Sequence, residues 1–315
     1  MTTTLIHPSA KFTDPDITAK GEARAKVAYK GTQTLWLNTG TLCNIECVNC
    51  YIESSPSNDR LVYLTLADLT PYLDELEAAG ETGIEIGITG GEPFMAPEII
   101  AIMEAALASG HRLLLLTNAM QPMMRPRMQA GLIDLRSRFG DRMTLRVSLD
   151  HYTARLHDEE RGAGAFDLSL KGLYWLAENG FRVDLAGRTV WGEDDAEARA
   201  GYGALIDRLG LDTRADDPTS LVLFPEMEDG GNPPEITTAC WGILDKDPDS
   251  LMCASQRMVV KRKGAGRTSV VACTLIPYDE RFELGDTLDG ARGEVSLNHP
   301  YCASFCVLGG GSCSV

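Results

Sequence analysis

Apolar residues follow two alternating patterns along most of the chain. Short apolar runs such as Arg112–Thr117, which contains four consecutive leucines, predict buried strands. Segments such as 65–79, where apolar residues recur at helical spacing before Gly80, predict amphipathic helices. The predicted strands are 34–38, 84–89, 112–117, 143–149, 182–190 and 220–224. The predicted helices are 65–79, 97–109, 123–139, 168–178 and 196–209.

The alternation of strands and helices predicts an α/β fold with a parallel sheet joined by right-handed crossovers. Folds of this kind place their binding sites at the carboxyl ends of the strands. We therefore expect functional side chains directly after the predicted strands.

A change in composition divides the chain near residue 226. Residues 225–232 read Pro-Glu-Met-Glu-Asp-Gly-Gly-Asn and are followed by two prolines. We expect a polar lead-in at 1–31, an α/β domain at 32–225 and an extension at 226–315, which holds six of the nine cysteines. The lead-in is too short to be a separate peptide-binding domain.

Charge and cysteine content narrow the functional classes. The 315-residue chain has a formal net charge of −16, which argues against nonspecific binding to nucleic acid or to an anionic membrane. No stretch approaches the roughly 20 apolar residues of a membrane helix, and the first residues lack the pattern of a signal peptide. Nine cysteines in a chain that we therefore expect to be cytoplasmic indicate metal or redox chemistry.

Three cysteines, Cys43, Cys47 and Cys50, form a C-x3-C-x2-C run shortly after the first predicted strand. Iron–sulfur clusters are held by thiolates at such spacings, and four thiolates are the usual complete set. Three would leave one iron open to another ligand. The alternatives are a structural zinc site, which prefers C-x2-C pairs and four ligands, and three unconnected buried thiols.

The run resembles the hallmark of the radical S-adenosylmethionine (SAM) superfamily. That resemblance implies a partial (β/α)6 TIM-type barrel and a [4Fe–4S] cluster whose open iron is chelated by the amino and carboxylate groups of SAM. The family usually has an aromatic residue before the third cysteine, whereas Asn49 stands there in this chain and Tyr51 follows the cysteine. Tyr51 is therefore the candidate for an adenine contact.

Gly90, Gly91, Glu92 and Pro93 follow the second predicted strand. Taken alone they are typical of an ordinary strand-to-helix turn, with the proline near the helix entry. Their position after the cysteine loop makes them similar to the family's GGEP motif. The resemblance implies that this segment binds the methionine ammonium of SAM, for which the Glu92 carboxylate is suited.

Polar residues at the ends of later strands extend the predicted cofactor site. Ser148 and Asp150 point to the same side because strand side chains alternate, and both suit ribose hydroxyls; the alternative is a solvated strand end. Arg188 either pairs with an interior carboxylate or forks onto the SAM carboxylate. Asn118 lies where the family usually has the sequence Thr-Asn-Gly, but Ala119 replaces the glycine here. Residues 161–164 are also family-like, although a flexible surface loop is an equal interpretation.

The extension carries a second set of cysteines. The sequence between Cys253 and Cys273 predicts a β-hairpin with a thiol near each end, and the chain closes with a further cysteine group. This pattern resembles a shortened SPASM/twitch extension, which implies one auxiliary [4Fe–4S] cluster; a zinc site is the alternative. The expected ligands are Cys253, Cys273, Cys302 and Cys306, with Cys313 in reserve and Cys240 as a buried thiol.

The resemblance implies an enzyme that cleaves SAM reductively to a 5′-deoxyadenosyl radical, which abstracts hydrogen from a substrate. The expected partners are a reductant such as flavodoxin or ferredoxin and a small-molecule or peptide substrate, with no nucleic acid and no membrane. The lack of a peptide-recognition domain mildly favours a small molecule. Alternatives are transfer of a SAM-derived group to a thiophilic atom and, from another class, a non-catalytic iron–sulfur electron carrier.

Overall fold

A computed structural model describes residues 10–224 and 232–311 of the chain. The strands are β1 (Lys26–Val27), β2 (Thr34–Asn38), β3 (Glu85–Thr89), β4 (Arg112–Thr117), β5 (Met143–Ser148), β6 (Arg182–Arg188), β7 (Leu221–Phe224), β8 (Gln256–Val260), β9 (Ser269–Val271) and β10 (Val295–Ser296). The helices are α1 (Leu66–Ala78), α2 (Ile99–Ala108), α3 (Pro126–Phe139), α4 (Ala154–Arg161), α5 (Ala165–Glu178), α6 (Asp195–Leu209), α7 (Cys240–Ile243) and a π-helix (Cys302–Leu308).

The main sheet contains all six predicted strands. Its order is β7-β6-β5-β4-β3-β2-β8-β9, and every neighbouring pair from β7 to β8 is parallel. Helices α1 to α6 follow or link these strands, as a barrel of crossover units requires. Apolar side chains from the strands and helices together form the largest core cluster.

Helix boundaries follow local capping chemistry. Thr65 and Asp68 form a reciprocal capping box at the start of α1, which satisfies amide groups that the first turn leaves without partners. Asp194 caps α6, and Gly210 ends it in the left-handed conformation that glycine adopts easily.

The C-terminal hairpin of β8 and β9 is present, but it joins the barrel sheet instead of standing apart. β8 pairs in parallel with β2 along residues 34–37, and the Trp36 indole donates to Gln256 Oε1 at 2.9 Å. Lys261 beyond the hairpin strand also pairs with Asp68 of α1 at 2.8 Å. The hairpin therefore covers an edge of β2 that would otherwise expose unpaired backbone groups.

The N-terminal segment also belongs structurally with the extension. β1 pairs with β10, and the buried Arg24 forms an ion pair with Glu235 at 2.5 Å. The expected boundary near 226 lies outside the described residues. Within 10–224 and 232–311, no helix has the length and apolar character needed to span a membrane.

Helix α4 is absent from the prediction. It precedes the segment 161–164, so Arg161 is the buried end of a helix instead of part of a surface loop. Its sequence, Ala-Arg-Leu-His-Asp-Glu-Glu-Arg, has few apolar residues, and the periodicity that indicates helices is therefore weak there.

Candidate functional site

The cysteine loop after β2 opens into a cavity at the carboxyl ends of the barrel strands. Cys43, Cys47 and Cys50 all line this cavity. The backbone N–H of Ser54 donates to Cys50 Sγ at 3.3 Å, and Asn118 Nδ2 lies 3.9 Å from Cys43 Sγ. Hydrogen bonds to sulfur of this kind also tune iron–sulfur clusters.

Burial favours the protonated form of two of these thiols, Cys43 and Cys47. It raises the pKa of Cys43 to about 12 and that of Cys47 to about 11. Metal ligation needs thiolates, so loading of the site would release protons. In the part of the chain that the structure describes, no three His, Cys, Asp or Glu side chains converge closely enough to hold a single metal ion.

The Ser54 hydroxyl makes the cavity suitable for a polar ligand. Ser54 lines the cavity, is 4% exposed, and its Oγ has no hydrogen-bond partner among the described residues. A buried hydroxyl without a partner is costly, so a bound molecule that supplies one is favoured. Together with the three adjacent thiols, Ser54 makes the site suited to a cluster that carries a polar organic ligand.

Gly90 and Gly91 line the cavity and hold the cysteine loop. The Gly91 N–H donates to Gly40 O at 2.8 Å. A Cβ at Gly91 would lie 2.2 Å from Leu42 O, and one at Gly90 would lie 2.6 Å from Gly40 O. The two glycines are therefore required for close approach to the loop backbone as well as for an open cavity wall.

Glu92 lies behind the cavity wall, and both oxygens of its carboxylate accept hydrogen bonds from other groups of the protein. Its carboxylate accepts hydrogen bonds from Thr117 Oγ1 at 2.9 Å, Asn118 N at 2.9 Å and Phe94 N at 3.2 Å. Burial raises the pKa of Glu92 to about 7 against these hydrogen bonds. The carboxylate thus positions the end of β4, while Pro93 begins a buried 3₁₀ turn.

Asn118, Ser148 and Asp150 line the cavity from the ends of β4 and β5. Asp150 accepts a two-pronged contact from Arg161, at 2.6 Å from Nε and 2.9 Å from Nη2. Burial alone would raise the pKa of Asp150, but the Arg161 charge holds it below its usual value. Burial would likewise lower the pKa of Arg161, but Asp150 and Cys47 raise it. Arg161 therefore places a permanent cation beside the thiols.

Arg188 lines the cavity and pairs with an interior carboxylate, which was one of its two interpretations. Its Nη1 lies 3.4 Å from Glu160 Oε2 and 3.2 Å from the carbonyl oxygen of Asn49. The Asn49 amide in turn donates to Glu160 at 2.9 Å. In place of an aromatic contact, Asn49 thus ties the cysteine loop to α4 and β6. Tyr51 lines the same cavity.

Sequence patterns do not identify Ser54 or Glu160 as site residues, and they mark Arg161 only as part of the family-like segment 161–164. Glu160 and Arg161 end a helix whose polar sequence hides it, and Ser54 belongs to no recognisable motif. The two glycines around 162–164 are the one available signal, since they mark a helix end next to a charged residue.

The described cysteines of the extension gather around one apolar cluster that includes Ile236, Leu251 and Phe282. Cys253 is part of that cluster, and four further cysteines pack against it: Cys240, Cys273, Cys302 and Cys306. Burial raises the pKa of Cys253 to about 11 and that of Cys302 to about 12. Cys313 lies outside the described residues.

Cys240 differs from its expectation as a buried thiol. It is half-buried and reaches the same apolar cluster as the other four cysteines. The Thr237 backbone N–H donates to Cys240 Sγ at 3.4 Å.

Comparison with known proteins reveals similarity over much of the chain. A profile of the radical SAM superfamily matches residues 37–198. Mycofactocin maturase MftC of Mycobacterium ulcerans is 30% identical over 172 residues, which are 55% of this chain and 43% of that protein. The subtilosin biosynthesis protein AlbA of Bacillus subtilis is 29% identical over 145 residues, or 46% of this chain and 30% of AlbA.

A solved structure shares the fold. Streptococcus suis SuiB bound to precursor peptide SuiA superposes with a TM-score of 0.56 at 14% identity, covering 82% of this chain and 64% of that chain. The predicted α/β partial barrel is thereby confirmed. Matched segments span less than half the length of the curated relatives MftC and AlbA.

Proposed function

Because the chain belongs to the radical SAM superfamily, we propose that it is an enzyme that cleaves SAM reductively and uses the resulting radical on a peptide. The superfamily uses a [4Fe–4S] cluster together with SAM. When bound, the reduced cluster would supply the one electron that breaks the C5′–S bond of SAM, which would release methionine and a 5′-deoxyadenosyl radical able to take a hydrogen atom from the substrate.

The observation that carries the proposal is the meeting of three thiols and an array of polar groups in one cavity. Cys43, Cys47 and Cys50 would hold three irons and leave the fourth to SAM. The Ser54 hydroxyl, which lacks a partner in the part of the chain that the structure describes, would donate a hydrogen bond to the cofactor. The strand ends at Asn118 and Ser148 would orient the SAM ribose and methionine groups.

Charged residues around the cavity would set the position of SAM. Arg161 and Arg188 bring two guanidinium groups to a wall that also holds Asp150. A guanidinium next to a bound carboxylate is favoured by its planar fork geometry. Glu92 would act behind the wall, by holding Thr117 and Asn118 in place for the SAM ammonium.

For the extension we propose one auxiliary [4Fe–4S] cluster held by Cys253, Cys273, Cys302 and Cys306. All four meet at one apolar cluster, and burial of thiolate-bound iron among apolar side chains suits an electron-transfer site. Cys240 packs at the same place and is the alternative fourth ligand.

A peptide is the proposed substrate because of the relatives. MftC is named a maturase, and the structure of SuiB contains a precursor peptide. We further propose a reductant such as flavodoxin or ferredoxin as the electron source, and the cytoplasm as the location, because thiol-ligated clusters need a reducing compartment.

The test is to reconstitute the protein anaerobically and incubate it with SAM and a strong reductant. Formation of 5′-deoxyadenosine and methionine, measured by liquid chromatography, supports the enzyme. An intact iron–sulfur protein that forms neither product would instead be the electron carrier. A methylated or otherwise SAM-modified acceptor without 5′-deoxyadenosine would indicate group transfer.

A further inference from the structure

The cavity has a second wall whose chemistry differs from that of the cofactor wall. Leu116, Phe224, Leu275 and Phe305 line it, and none of these side chains carries a charge. The ionisable groups of the cavity, Asp150, Arg161 and Arg188 among them, come from the cysteine loop, the helix α4 and the ends of β5 and β6. The uncharged wall comes mainly from β7 and from the extension.

Two aromatic rings form the centre of this wall. The rings of Phe224 and Phe305 stack with their centroids 6.0 Å apart and their planes inclined by 28°. Phe305 is 2% exposed and Leu275 is 4% exposed. Phe224 ends β7, the edge strand of the main sheet, so the pair lies at the side of the cavity next to that strand.

The local backbone holds Phe305 in this position. Phe305 lies in the π-helix, a rare conformation that recurs at functional sites. The Gly311 N–H donates to Phe305 O at 2.9 Å. A Cβ at Gly311 would lie 2.5 Å from the Phe305 ring, so only glycine fits beside it.

We propose that the wall of Phe224, Leu275 and Phe305 is the substrate subsite, and that it takes an uncharged apolar or aromatic side chain. This inference rests on the proposed function. A charged substrate group would lose hydration there without gaining a partner, whereas an apolar group gains by burial. The wall also adjoins the extension thiols, since Cys306 follows Phe305 and Cys273 packs against the same apolar cluster as Leu275. A side chain bound there lies between the cofactor wall and those thiols.

The probes are N-acetyl-L-leucinamide, N-acetyl-L-phenylalaninamide and, as a charged probe of similar size to the first, the α-amide of N-acetyl-L-aspartate. Their binding to the reconstituted holoprotein with SAM is measured by saturation-transfer NMR. We expect clear transfer to the two apolar probes and about tenfold less to the aspartate probe. Equal transfer to all three, or none to the apolar probes, would overturn the proposal.

Matched variants locate the binding. Phe305→Ala and Phe224→Ala should each reduce transfer to the apolar probes about tenfold. Phe181→Ala is the control: this ring is also buried, at 8% exposure, but it neither lines the cavity nor belongs to the apolar cluster around the extension thiols. Iron content is measured for every variant, and Phe224→Ala decides the result if Phe305→Ala loses iron. Undiminished probe binding in an iron-loaded Phe224 variant would refute the subsite.

SAM affinity separates this inference from other interpretations of the wall. Calorimetry should give the same SAM affinity for wild type and both variants. If either variant binds SAM about tenfold more weakly, the wall contacts the adenine of SAM and the proposal is overturned. Failure of the wild type to form 5′-deoxyadenosine would count against the proposed function, whereas probe binding and the SAM affinities of the variants decide the subsite.

Discussion

The barrel and the extension each bring several thiols together, but the sequence separation between those thiols differs greatly. Cys43, Cys47 and Cys50 belong to one eight-residue loop anchored at a strand end. The described extension thiols are spread from Cys240 to Cys306 and meet only because separate turns pack around one apolar cluster. A local loop keeps its ligands close at any stage of folding, whereas the dispersed set depends on the folded packing.

The polar environment also differs between the two sets of thiols. The barrel thiols face a cavity with Arg161, Asp150 and the Ser54 hydroxyl, which has no partner within residues 10–224 and 232–311. The described extension thiols instead pack around an apolar cluster and do not line that cavity, and the buried Arg257 guanidinium beside them donates to the Cys253 carbonyl oxygen at 2.7 Å. A site that must bind and release a charged cofactor needs the first arrangement, and a site that only exchanges electrons is served by the second.

The largest effect should come from removal of the local thiol set. Fully reconstituted protein should hold roughly eight iron and eight sulfide, and the Cys43→Ala/Cys47→Ala/Cys50→Ala variant about half of that. It should form no 5′-deoxyadenosine, because the barrel site then holds no iron to bind SAM. Iron and sulfide analysis checks this result, and wild-type iron content in the triple variant would contradict the assignment of the barrel site.

Removal of dispersed thiols should separate the two regions. Cys253→Ala/Cys273→Ala should also lose about half of the iron but keep cleaving SAM, because the SAM cavity is lined by other cysteines. Once the substrate is known, this variant should give 5′-deoxyadenosine without product. If protein that lacks the second cluster forms product at the wild-type level, the extension has only a structural role.

Cys240→Ser provides the matched comparison within the extension. If the other four described cysteines complete the cluster, this variant should keep the wild-type iron content. Loss of about half of the iron would show that Cys240 is a cluster ligand in place of one of those four cysteines.

A smaller effect is expected from the carboxylate behind the cofactor wall. Glu92→Gln should weaken SAM binding by about 1.5–3 kcal/mol, which is about ten- to a hundredfold. The reason is that the glutamine NH2 group cannot accept a hydrogen bond from the Thr117 hydroxyl or the Asn118 N–H. The end of β4 would then be held less firmly. Iron content should not change. Glu98→Gln is the control, because Glu98 lies away from the cavity; equal SAM affinities in all three proteins would remove Glu92 from the site.

The smallest effect concerns the junction of the two regions. Lys261→Met should lower the free energy of unfolding by at most about 1 kcal/mol, since its pair with Asp68 is partly exposed. Lys263→Met should have almost no effect, because the Lys263–Asp59 pair is much more exposed. Chemical denaturation measures both, and the difference should shrink in high salt. An equal loss in both variants would show that the junction does not depend on this ion pair.

The amino-acid sequence by itself determined the order of the six predicted strands and five predicted helices, the first thiol loop and the hairpin of the extension. These features depend on local periodicity, turn residues and short-range spacing, which hold wherever the segment lies. The predicted strand Thr34–Asn38 matches the structure at both ends for this reason. Membership of the superfamily followed from the same local run of cysteines, and the comparisons confirm it.

Tertiary structure decided everything that depends on partners far apart in the chain. The pairing of β8 with β2, the engagement of Glu92 by protein donors and the meeting of Phe224 with Phe305 join residues that no local pattern links. Helix α4 was hidden because its polar sequence is stabilised by contacts made only in the fold, such as the pair between Arg161 and Asp150. The cysteine spacing predicted a loop that can hold a cluster, but only packing shows which side chains surround it.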